Sequence, residues 1–280
     1  MKKNGLADIT IDTKVKRLKV LAKKCNLNEP EQVKAVLATT NWQNGTKDNL
    51  VATYSSYLEF IGKTWKKPKY QRQRAIPYIP TEQELDQLIS AGTRKTSAYL
   101  LLLKETGARM GEALNVKWID IDRTRKTVYI HAEKHSNDRI LPISEQLLTM
   151  LNNLPKKTDK VFNGKAKSLR STFQELRNRT ANKLVNPRLK QIHLHTFRHW
   201  KATTKMHECH DAWEAKQILG HKTIKSTEIY IHIDQMTSNY SKQWSSLVTH
   251  SIEEETKAVN TGFDLVRAIN ETTAIYRKRK

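Results

Sequence analysis

Two imidazoles, one guanidinium and one phenol fall within one short stretch of the chain. His195 and Arg198 are three residues apart, so on a helix their side chains share one face. His221 directly follows Gly220, and glycine is a residue type that commonly ends helices. Tyr230 comes nine residues after His221, a spacing that allows a turn and a short helix to return it to the same pocket. We therefore expect these four side chains to meet.

Side chains of these types suit the attack of a phenol on a phosphodiester. A protonated phenol is a weak nucleophile, since its ordinary pKa is about 10. The attack builds negative charge on the phosphate oxygens, and a guanidinium is a permanent cation whose planar fork matches those oxygens. Imidazoles donate hydrogen bonds or move protons near neutral pH. The set predicts a tyrosine that attacks a DNA phosphate while cations stabilise the transition state.

Further segments complete a pattern that resembles the tyrosine recombinases, the lambda-integrase and Xer family. The C-terminal signature reads H-T-F-R-H and then L-G-H-x8-Y, between residues 195 and 230. Residues 106–112 read T-G-A-R-M-G-E, similar to the family's box around its first arginine. Residues 133–142 read E-K-H-S-N-D-R-I-L-P, similar to the hairpin that carries its lysine. Each element alone is a weak pattern, but together and in order they form a strong signal over about residues 81–235.

The resemblance implies a catalytic set of cationic, imidazole and phenol side chains, namely Arg109, Lys134, His195, Arg198, His221 and Tyr230. The phenol would be the nucleophile that forms a 3′-phosphotyrosyl link, and the two arginines would hold the non-bridging phosphate oxygens. The lysine would protonate the leaving 5′ oxygen, and the two histidines would orient the phosphate and assist proton transfer. Lys126 is a weaker candidate for the acid, and the alternative for Lys134 is an ordinary hairpin lysine.

No metal and no other cofactor is expected, because the covalent bond to tyrosine would conserve the phosphodiester energy. His207, Cys209 and His210 offer an alternative reading as a zinc site. Their spacing puts neighbouring side chains on different helix faces, and there is no second pair of cysteines, so we do not predict a metal. His199 follows Arg198, as in many members of the family, where the resemblance implies a supporting place in the pocket.

The composition favours a polyanionic partner. Lys and Arg number 50 against 28 Asp and Glu, which gives a net charge of +22. Double-stranded DNA is the simplest such partner, and a solubilising surface is the alternative. Cys25 and Cys209 are expected to be free thiols in a reducing compartment, with a disulfide as the alternative. The longest apolar run, at residues 98–103, is too short to span a membrane and no signal peptide is recognisable, so we expect a cytoplasmic protein.

The resemblance and the patterning divide the chain into four parts. Residues 1–66 form an all-α, core-binding (SAM-like) domain, and 67–80 form a basic linker with prolines. Residues 81–248 form the catalytic domain and 249–280 a helical tail. The expected fold is mainly α with a small antiparallel sheet, arranged as a two-domain, C-shaped clamp on DNA. A monomer in solution that assembles as a dimer or tetramer on DNA is expected.

Helical and strand patterns must place the catalytic residues. A buried helix at residues 98–103 is expected to stop near Gly107, just before Arg109. The alternative role for this arginine is a structural ion pair with Glu112 or Glu105. Residues 126–131 and 139–143 are predicted to be the two strands of the hairpin that bears the lysine.

The C-terminal tail is predicted to be helical at residues 236–248 and 253–275. Apolar residues at helical spacing form a stripe on the second segment, Val259, Phe263, Val266 and Ile269, although Gly262 weakens it. The stripe would either dock on a neighbouring subunit, as in the family, or cover its own core.

Two rival functions are also consistent with these residues. A type IB topoisomerase would use the same chemistry to relax supercoils as a monomer. A DNA-binding regulator with an inactive site is the third hypothesis, and the complete set of catalytic residue types argues against it.

Overall fold

The computed structural model describes residues 5–72, 75–133, 136–209, 211–237, 244–268 and 273–279. The chain divides into two units, Met1–Ala75 and Ile76–Lys280. Helices dominate both units, and the second also carries two small antiparallel sheets. The predicted class, mainly α with a small antiparallel sheet, is confirmed. Within the described part of the chain, no helix has the length and apolar character needed to cross a lipid bilayer.

The N-terminal unit is built from three helices, α1 (Asp8–Ala22), α2 (Pro30–Thr39) and α3 (Asn44–Phe60). Pro30 occupies the first turn of α2, where its missing N–H costs no hydrogen bond. Apolar residues at helical spacing face inwards and form the core of this unit: Leu21, Val33, Leu37, Leu50, Val51, Tyr54 and Leu58.

The C-terminal unit is built around a buried central helix. Its helices, in chain order, are α4 (Glu82–Ser90), α5 (Arg94–Thr106), α6 (Met110–Leu114), α7 (Glu145–Asn152), α8 (Ala166–Lys183), α9 (Leu194–Cys209), α10 (Ala212–Leu219) and α11 (Glu228–Thr237). Helix α5 is buried along most of its length and packs against α4, α7 and α9. It ends at Gly107, whose φ of 60° is left-handed. This is the predicted stop, and it frees the chain to turn into Arg109.

The first sheet contains β1 (Ile121–Asp122), β2 (Thr127–Ile130) and β3 (Arg139–Pro142), in the order β1-β2-β3. Strands β2 and β3 form the predicted hairpin, with Val128 opposite Leu141 and Ile130 opposite Arg139. Residues directly opposite in a sheet share a face. Arg139 therefore lies on the buried face with Ile130 instead of pointing into solvent.

The predicted helical tail is wrong. Residues after 243 form β4 (Trp244–Thr249), α12 (Ile252–Asn260), β5 (Asp264–Ala268) and β6 (Ala274–Arg279). The strands make a second antiparallel sheet in the order β4-β6-β5. Because β4 pairs with β6, the boundary drawn after residue 248 falls inside this small sheet and must move ahead of β4.

The turn at Gly262 explains why the helical prediction failed. Its φ of 81° is left-handed, and the Phe263 N–H closes the end of α12 by donating to the Ala258 carbonyl at 3.0 Å. The chain then enters β5, so Val259 and Val266 belong to different elements. Both are about half exposed, at 57% and 49%. The apolar stripe therefore does not exist as one face, and its last member, Ile269, lies outside the described residues.

Candidate active site

Arg198 lies at the centre of the C-terminal unit, and only 1% of it is exposed. Its Nη1 donates to the Gly107 carbonyl at 2.8 Å and its Nη2 to the Leu219 carbonyl at 2.6 Å. These carbonyls belong to the ends of α5 and α10, where Gly107 and Gly220 turn the chain in left-handed conformations. The two glycine stops thus leave carbonyls that hold the guanidinium in place. The five N–H groups of a guanidinium are only partly used by these two bonds.

Glu112 holds two arginines with one buried carboxylate. Its Oε1 accepts from Arg109 Nη1 at 2.8 Å, and its Oε2 accepts from Arg139 Nη2 at 2.6 Å. The Arg109 backbone N–H also donates to Oε2, at 2.9 Å. Burial alone would raise the pKa of Glu112, but the hydrogen bonds and charges of Arg139 and Arg109 lower it to about 2. The ion pair considered as an alternative role for Arg109 is therefore real, and it positions the guanidinium.

Ser136 ties the hairpin to Arg109 and to the end of α10. Its hydroxyl accepts from Arg109 Nη1 at 2.6 Å and donates to the Gly220 carbonyl at 2.9 Å. Ser136 also pairs with His221 in an isolated antiparallel bridge. A Cβ on Gly220 would lie 2.7 Å from the Asn137 carbonyl oxygen, so the close approach requires glycine. Sequence reasoning missed Ser136, whose only signal is its position in the hairpin motif.

Lys134, the predicted general acid, lies outside the described residues, as does Tyr240, the next tyrosine after Tyr230. In the chain, the described residues on either side of positions 134 and 135 are Glu133 and Ser136. Glu133 accepts a hydrogen bond from the Asn115 amide at 2.8 Å. Both ends of the hairpin tip are thus anchored to the C-terminal unit.

His221 is buried beside the arginines. Its Nδ1 lies 2.9 Å from the Thr227 hydroxyl. Burial, followed by the charges of Arg198, Arg109 and Arg139, lowers the pKa of His221 to about 3, so the ring is neutral near pH 7. In the tautomer that carries hydrogen on Nε2, the Thr227 hydroxyl donates to Nδ1 and Nε2–H remains a donor. Thr227 carried no signal in the sequence.

Tyr230 is buried, with 3% of the residue exposed. Its hydroxyl lies 2.8 Å from Nδ1 of His199. Burial raises the pKa of the phenol, while the charges of Arg198 and Arg109 oppose that rise. His199 was interpreted as a supporting residue, and the structure places its ring directly on the oxygen of the predicted nucleophile.

His195 completes the cluster. Its ring is perpendicular to that of His199, with centroids 4.7 Å apart. Part of the residue is open to solvent, yet protein atoms crowd the ring, and this crowding together with the charges of Arg198 and Arg109 lowers the pKa of His195. His195 therefore lies where the pocket meets solvent, on the helix that carries Arg198.

The structure thus brings together the predicted set apart from Lys134: Arg109, His195, Arg198, His221 and Tyr230. Arg109 and Arg139 bond to Glu112, and the charges of Arg198 and Glu112 also interact, so three guanidiniums share this region with the single charge of Glu112. An excess of positive charge of this kind suits a phosphate. Lys126, the weaker candidate for the acid, instead pairs with Glu145 at 2.6 Å.

The alternative zinc reading finds no support in the part of the chain that the structure describes. There, no three His, Cys, Asp or Glu side chains form a group that could hold a metal ion. His207 Nδ1 lies 2.7 Å from the Asp234 carboxylate, and this contact joins α9 to α11. His210 is outside the described residues.

Comparison with known proteins gives one family and a group of relatives. The profile described as the phage integrase family matches residues 80–236. The tyrosine recombinase of Thermosipho africanus is 27% identical over 195 residues, covering 65% of this chain and 68% of that protein. XerA of Saccharolobus solfataricus is 27% identical over 196 residues, covering 68% of this chain and 65% of that protein. The alignments thus leave about a third of each relative unmatched.

Solved structures share the fold at low identity. A lambda integrase (75–356) dimer bound to a COC′ core site has a TM-score of 0.64 at 13% identity, covering 86% of this chain and 92% of that one. The Tn1549 transposon integrase in complex with transposon right end DNA also has a TM-score of 0.64, at 14% identity, covering 82% of this chain and 93% of that one. These likenesses extend the agreement in fold beyond the segment that the family profile matches.

Proposed function

Because this chain belongs to the phage integrase family, whose profile matches more than half of it, we propose that it is a site-specific tyrosine recombinase that cleaves and rejoins duplex DNA. The observation that carries the proposal is the buried side chain of Tyr230. Its hydroxyl lies close enough to Arg198 and Arg109 for their positive charges to lower the pKa of the phenol. A phenol beside two guanidiniums is placed to attack a phosphate that they bind.

The reaction would proceed through a covalent link to the protein. Arg109 and Arg198 bind the non-bridging oxygens of the scissile phosphate, and the Tyr230 oxygen attacks the phosphorus. The bond to the 5′ oxygen breaks and a 3′-phosphotyrosyl link forms. Attack by the 5′ hydroxyl of another strand on this link then rejoins the DNA and releases the tyrosine. His195 and His221 orient the phosphate, and the neutral ring of His221 donates to it from Nε2.

Lys134 would act as the general acid. The leaving 5′ oxygen needs a proton as its bond to phosphorus breaks, and an ammonium group placed nearby can supply it. Ser136 anchors the hairpin next to this lysine and also bonds to Arg109. The hydrogen bond thus joins Arg109 to a residue two positions after the proposed acid in the chain.

Double-stranded DNA is the proposed partner. The net charge of +22 favours a polyanion, and neutralising phosphates would release bound counterions. We propose that the protein is a monomer in solution and assembles on DNA as a dimer or tetramer, because exchange between two sites needs more than one nucleophile. Binding should therefore weaken steeply as the salt concentration rises.

The test uses plasmids that carry candidate sites from the protein's own genetic neighbourhood. The protein and Tyr230→Phe are incubated with supercoiled plasmids and with nicked duplexes that lose a short 5′ fragment on cleavage. We expect the parent to form a covalent adduct on denaturing gels and to join two sites. Tyr230→Phe should bind the DNA but form no adduct.

The rival functions give different products. A type IB topoisomerase would relax plasmids with or without the candidate sites, and it would not join two of them. If the protein is an inactive regulator, both the parent and Tyr230→Phe would bind DNA and neither would form an adduct. An adduct that persists in Tyr230→Phe would mean that another residue is the nucleophile, with Tyr240 the first to examine.

A further inference from the structure

The contact between His199 and Tyr230 has no assigned role in the proposed reaction. Nδ1 of the imidazole lies 2.8 Å from the phenol oxygen. We propose that His199 is a catalytic residue whose Nδ1 accepts the proton of Tyr230 as the phenol oxygen attacks the phosphate, and returns it when the strands rejoin. The inference rests on the proposed function, because it assigns a proton acceptor to that reaction.

Geometry is the first support. A proton acceptor must lie within about 2.6–3.2 Å of the atom that gives up the proton. Helix α11, which carries Tyr230, packs against α9 through a shared apolar cluster that includes Ala202, Met206 and Ile233. This packing fixes the phenol and the imidazole relative to each other before DNA binds. Little reorganisation would be needed for the proton to move.

The protonation state of His199 is the second support. Burial, followed by the charges on His195 and Arg198, lowers the pKa of His199 to about 4. Near pH 7 the ring is therefore neutral, and its Nδ1 lone pair is available to the phenol. When a phosphate binds Arg198 and Arg109, its negative charge offsets part of this cationic field. The imidazole then becomes more basic at the step in which it must take the proton.

The contacts given for the other two imidazoles do not involve the phenol oxygen. Nδ1 of His221 is within hydrogen-bonding distance of the Thr227 hydroxyl. The ring of His195 packs perpendicular to the ring of His199. Among the hydrogen bonds of the described residues, the phenol oxygen bonds to His199. The proton acceptor is thus His199, the second histidine of the H-T-F-R-H motif, one helical turn after His195.

The step balances without any further reactant. The proton passes from the Tyr230 oxygen to Nδ1 of His199 while that oxygen bonds to phosphorus and the bond to the 5′ oxygen breaks. The 5′ oxygen takes its own proton from the general acid. On rejoining, the attacking 5′ hydroxyl returns a proton to the general acid as its oxygen bonds to phosphorus, the bond between phosphorus and tyrosine breaks, and the phenolate recovers its proton from Nδ1.

The test compares His199→Asn with His193→Asn. Asparagine keeps an oxygen near the Nδ1 position that can accept the phenol's hydrogen bond, but it cannot take the proton. His193 precedes the same helix, and its Nδ1 faces Arg177 at 3.1 Å instead of the phenol. Adduct formation is timed on the nicked duplex that the parent cleaves, at pH values from about 6 to 9.

We expect His199→Asn to form the adduct about 100-fold more slowly at pH 7, the usual scale for loss of a general base. Attack would then depend on phenolate formed by solvent, so its rate should rise about tenfold per pH unit. The parent and His193→Asn should show little change over this range. The ionisable groups that face His199 are His195 and Arg198 on α9 and Tyr230 on α11. The parent and His193→Asn both keep all three.

A second variant covers the case in which asparagine disturbs folding. His199→Ala leaves a space for added imidazole, which should restore adduct formation in proportion to the neutral imidazole concentration. Rates of His199→Asn equal to those of the parent, or a parallel pH profile, would overturn the inference. Faster cleavage would overturn it too, because the contact would then restrain the nucleophile.

Failure of the proposed function looks different. In that case the parent itself traps no DNA on any substrate, and a proton acceptor for Tyr230 has no reaction to serve. A different result would count against the inference alone. There, the parent forms an adduct through Tyr230, but imidazole does not restore adduct formation in a folded His199→Ala protein, so only the proposed role of His199 is wrong.

Discussion

Arg139 and Glu112 form a buried ion pair in which Nη2 of the arginine lies 2.6 Å from Oε2 of the carboxylate, with the side chains 5% and 0% exposed. The other carboxylate oxygen holds Nη1 of Arg109 at 2.8 Å. Strand β3 is thus joined through one carboxylate to an arginine that we propose binds phosphate. A buried charge is costly unless it is paired, so each of the three groups depends on the other two.

The first prediction concerns acid stability. The pKa of Glu112 is about 2 in the folded protein, below the value of about 4.3 for an unfolded chain. The carboxylate therefore contributes stability that is fully present above the unfolded pKa and is lost as the pH falls towards 2. Glu112→Gln should lower the free energy of unfolding at pH 7 by about 3 kcal/mol and flatten its decline with acid.

Urea unfolding followed by circular dichroism at pH values from about 3 to 7 measures this effect. Glu145→Gln is the matched control, because Glu145 forms an exposed pair with Lys126 and its loss should change stability little. If the parent and Glu112→Gln lose stability in parallel as the pH falls, the carboxylate does not carry the predicted charge.

The second prediction isolates the general acid. Lys134→Ala should slow cleavage of an ordinary phosphodiester far more than cleavage of a 5′-bridging phosphorothiolate, because a thiolate leaves without a proton. The factor on the ordinary substrate should be about 10² to 10⁴. Single-turnover adduct formation on the two substrates gives the ratio. His199→Asn should instead be slowed on both, since it acts on the nucleophile, and equal slowing by Lys134→Ala would make the lysine a binding residue.

The third prediction concerns metal. A chelator should leave adduct formation unchanged, because the proposed cations at the phosphate are guanidiniums and an ammonium. The measurement is the cleavage rate with and without EDTA, at constant ionic strength so that DNA binding is unaffected. Activity that is lost in EDTA and restored by zinc would return attention to His207, Cys209 and His210.

Local signals predicted the parts of the site that depend on neighbours in the chain. Gly107 ends α5 as expected because only a left-handed residue lets the chain turn towards Arg109. The alternation in residues 126–131, which puts Val128 and Ile130 on one face, likewise predicted the first strand of the hairpin. The position of Ser136 between Arg109 and Gly220 depends on three distant segments meeting, so no spacing in the sequence indicates it.

Helical spacing does not report tertiary contacts, as His199 and the predicted C-terminal stripe both show. His199 lies one turn from His195, and no spacing in the sequence indicates its contact with Tyr230, which depends on the packing of α11 against α9. Val259 and Val266 have helical spacing, but the left-handed turn at Gly262 places them in α12 and β5. The single apolar stripe predicted from that spacing, which was expected either to dock on a neighbouring subunit or to cover its own core, therefore does not form.

The last prediction concerns the C-terminal module, defined as residues 244–279. Its core of Ala258, Ala274 and Tyr276 is a cluster separate from the one around Tyr230. Strand β6 pairs with both β4 and β5, so the module holds itself together through its own hydrogen bonds. We therefore expect a chain that ends before residue 244 to keep the melting temperature of the remainder within a few degrees.

The same truncation separates the two enzymatic hypotheses. The pocket side chains described here all precede residue 244, so the truncated protein should still form the Tyr230 adduct at a single site. A recombinase that assembles through the module would lose joining of two sites while keeping this adduct, whereas a monomeric topoisomerase would relax plasmids as before. The control is Ile252→Ser, which changes an 82%-exposed residue and leaves the module's core intact. A truncated protein whose melting transition is lost would show that the module stabilises the catalytic core, and its role in assembly would then have no support.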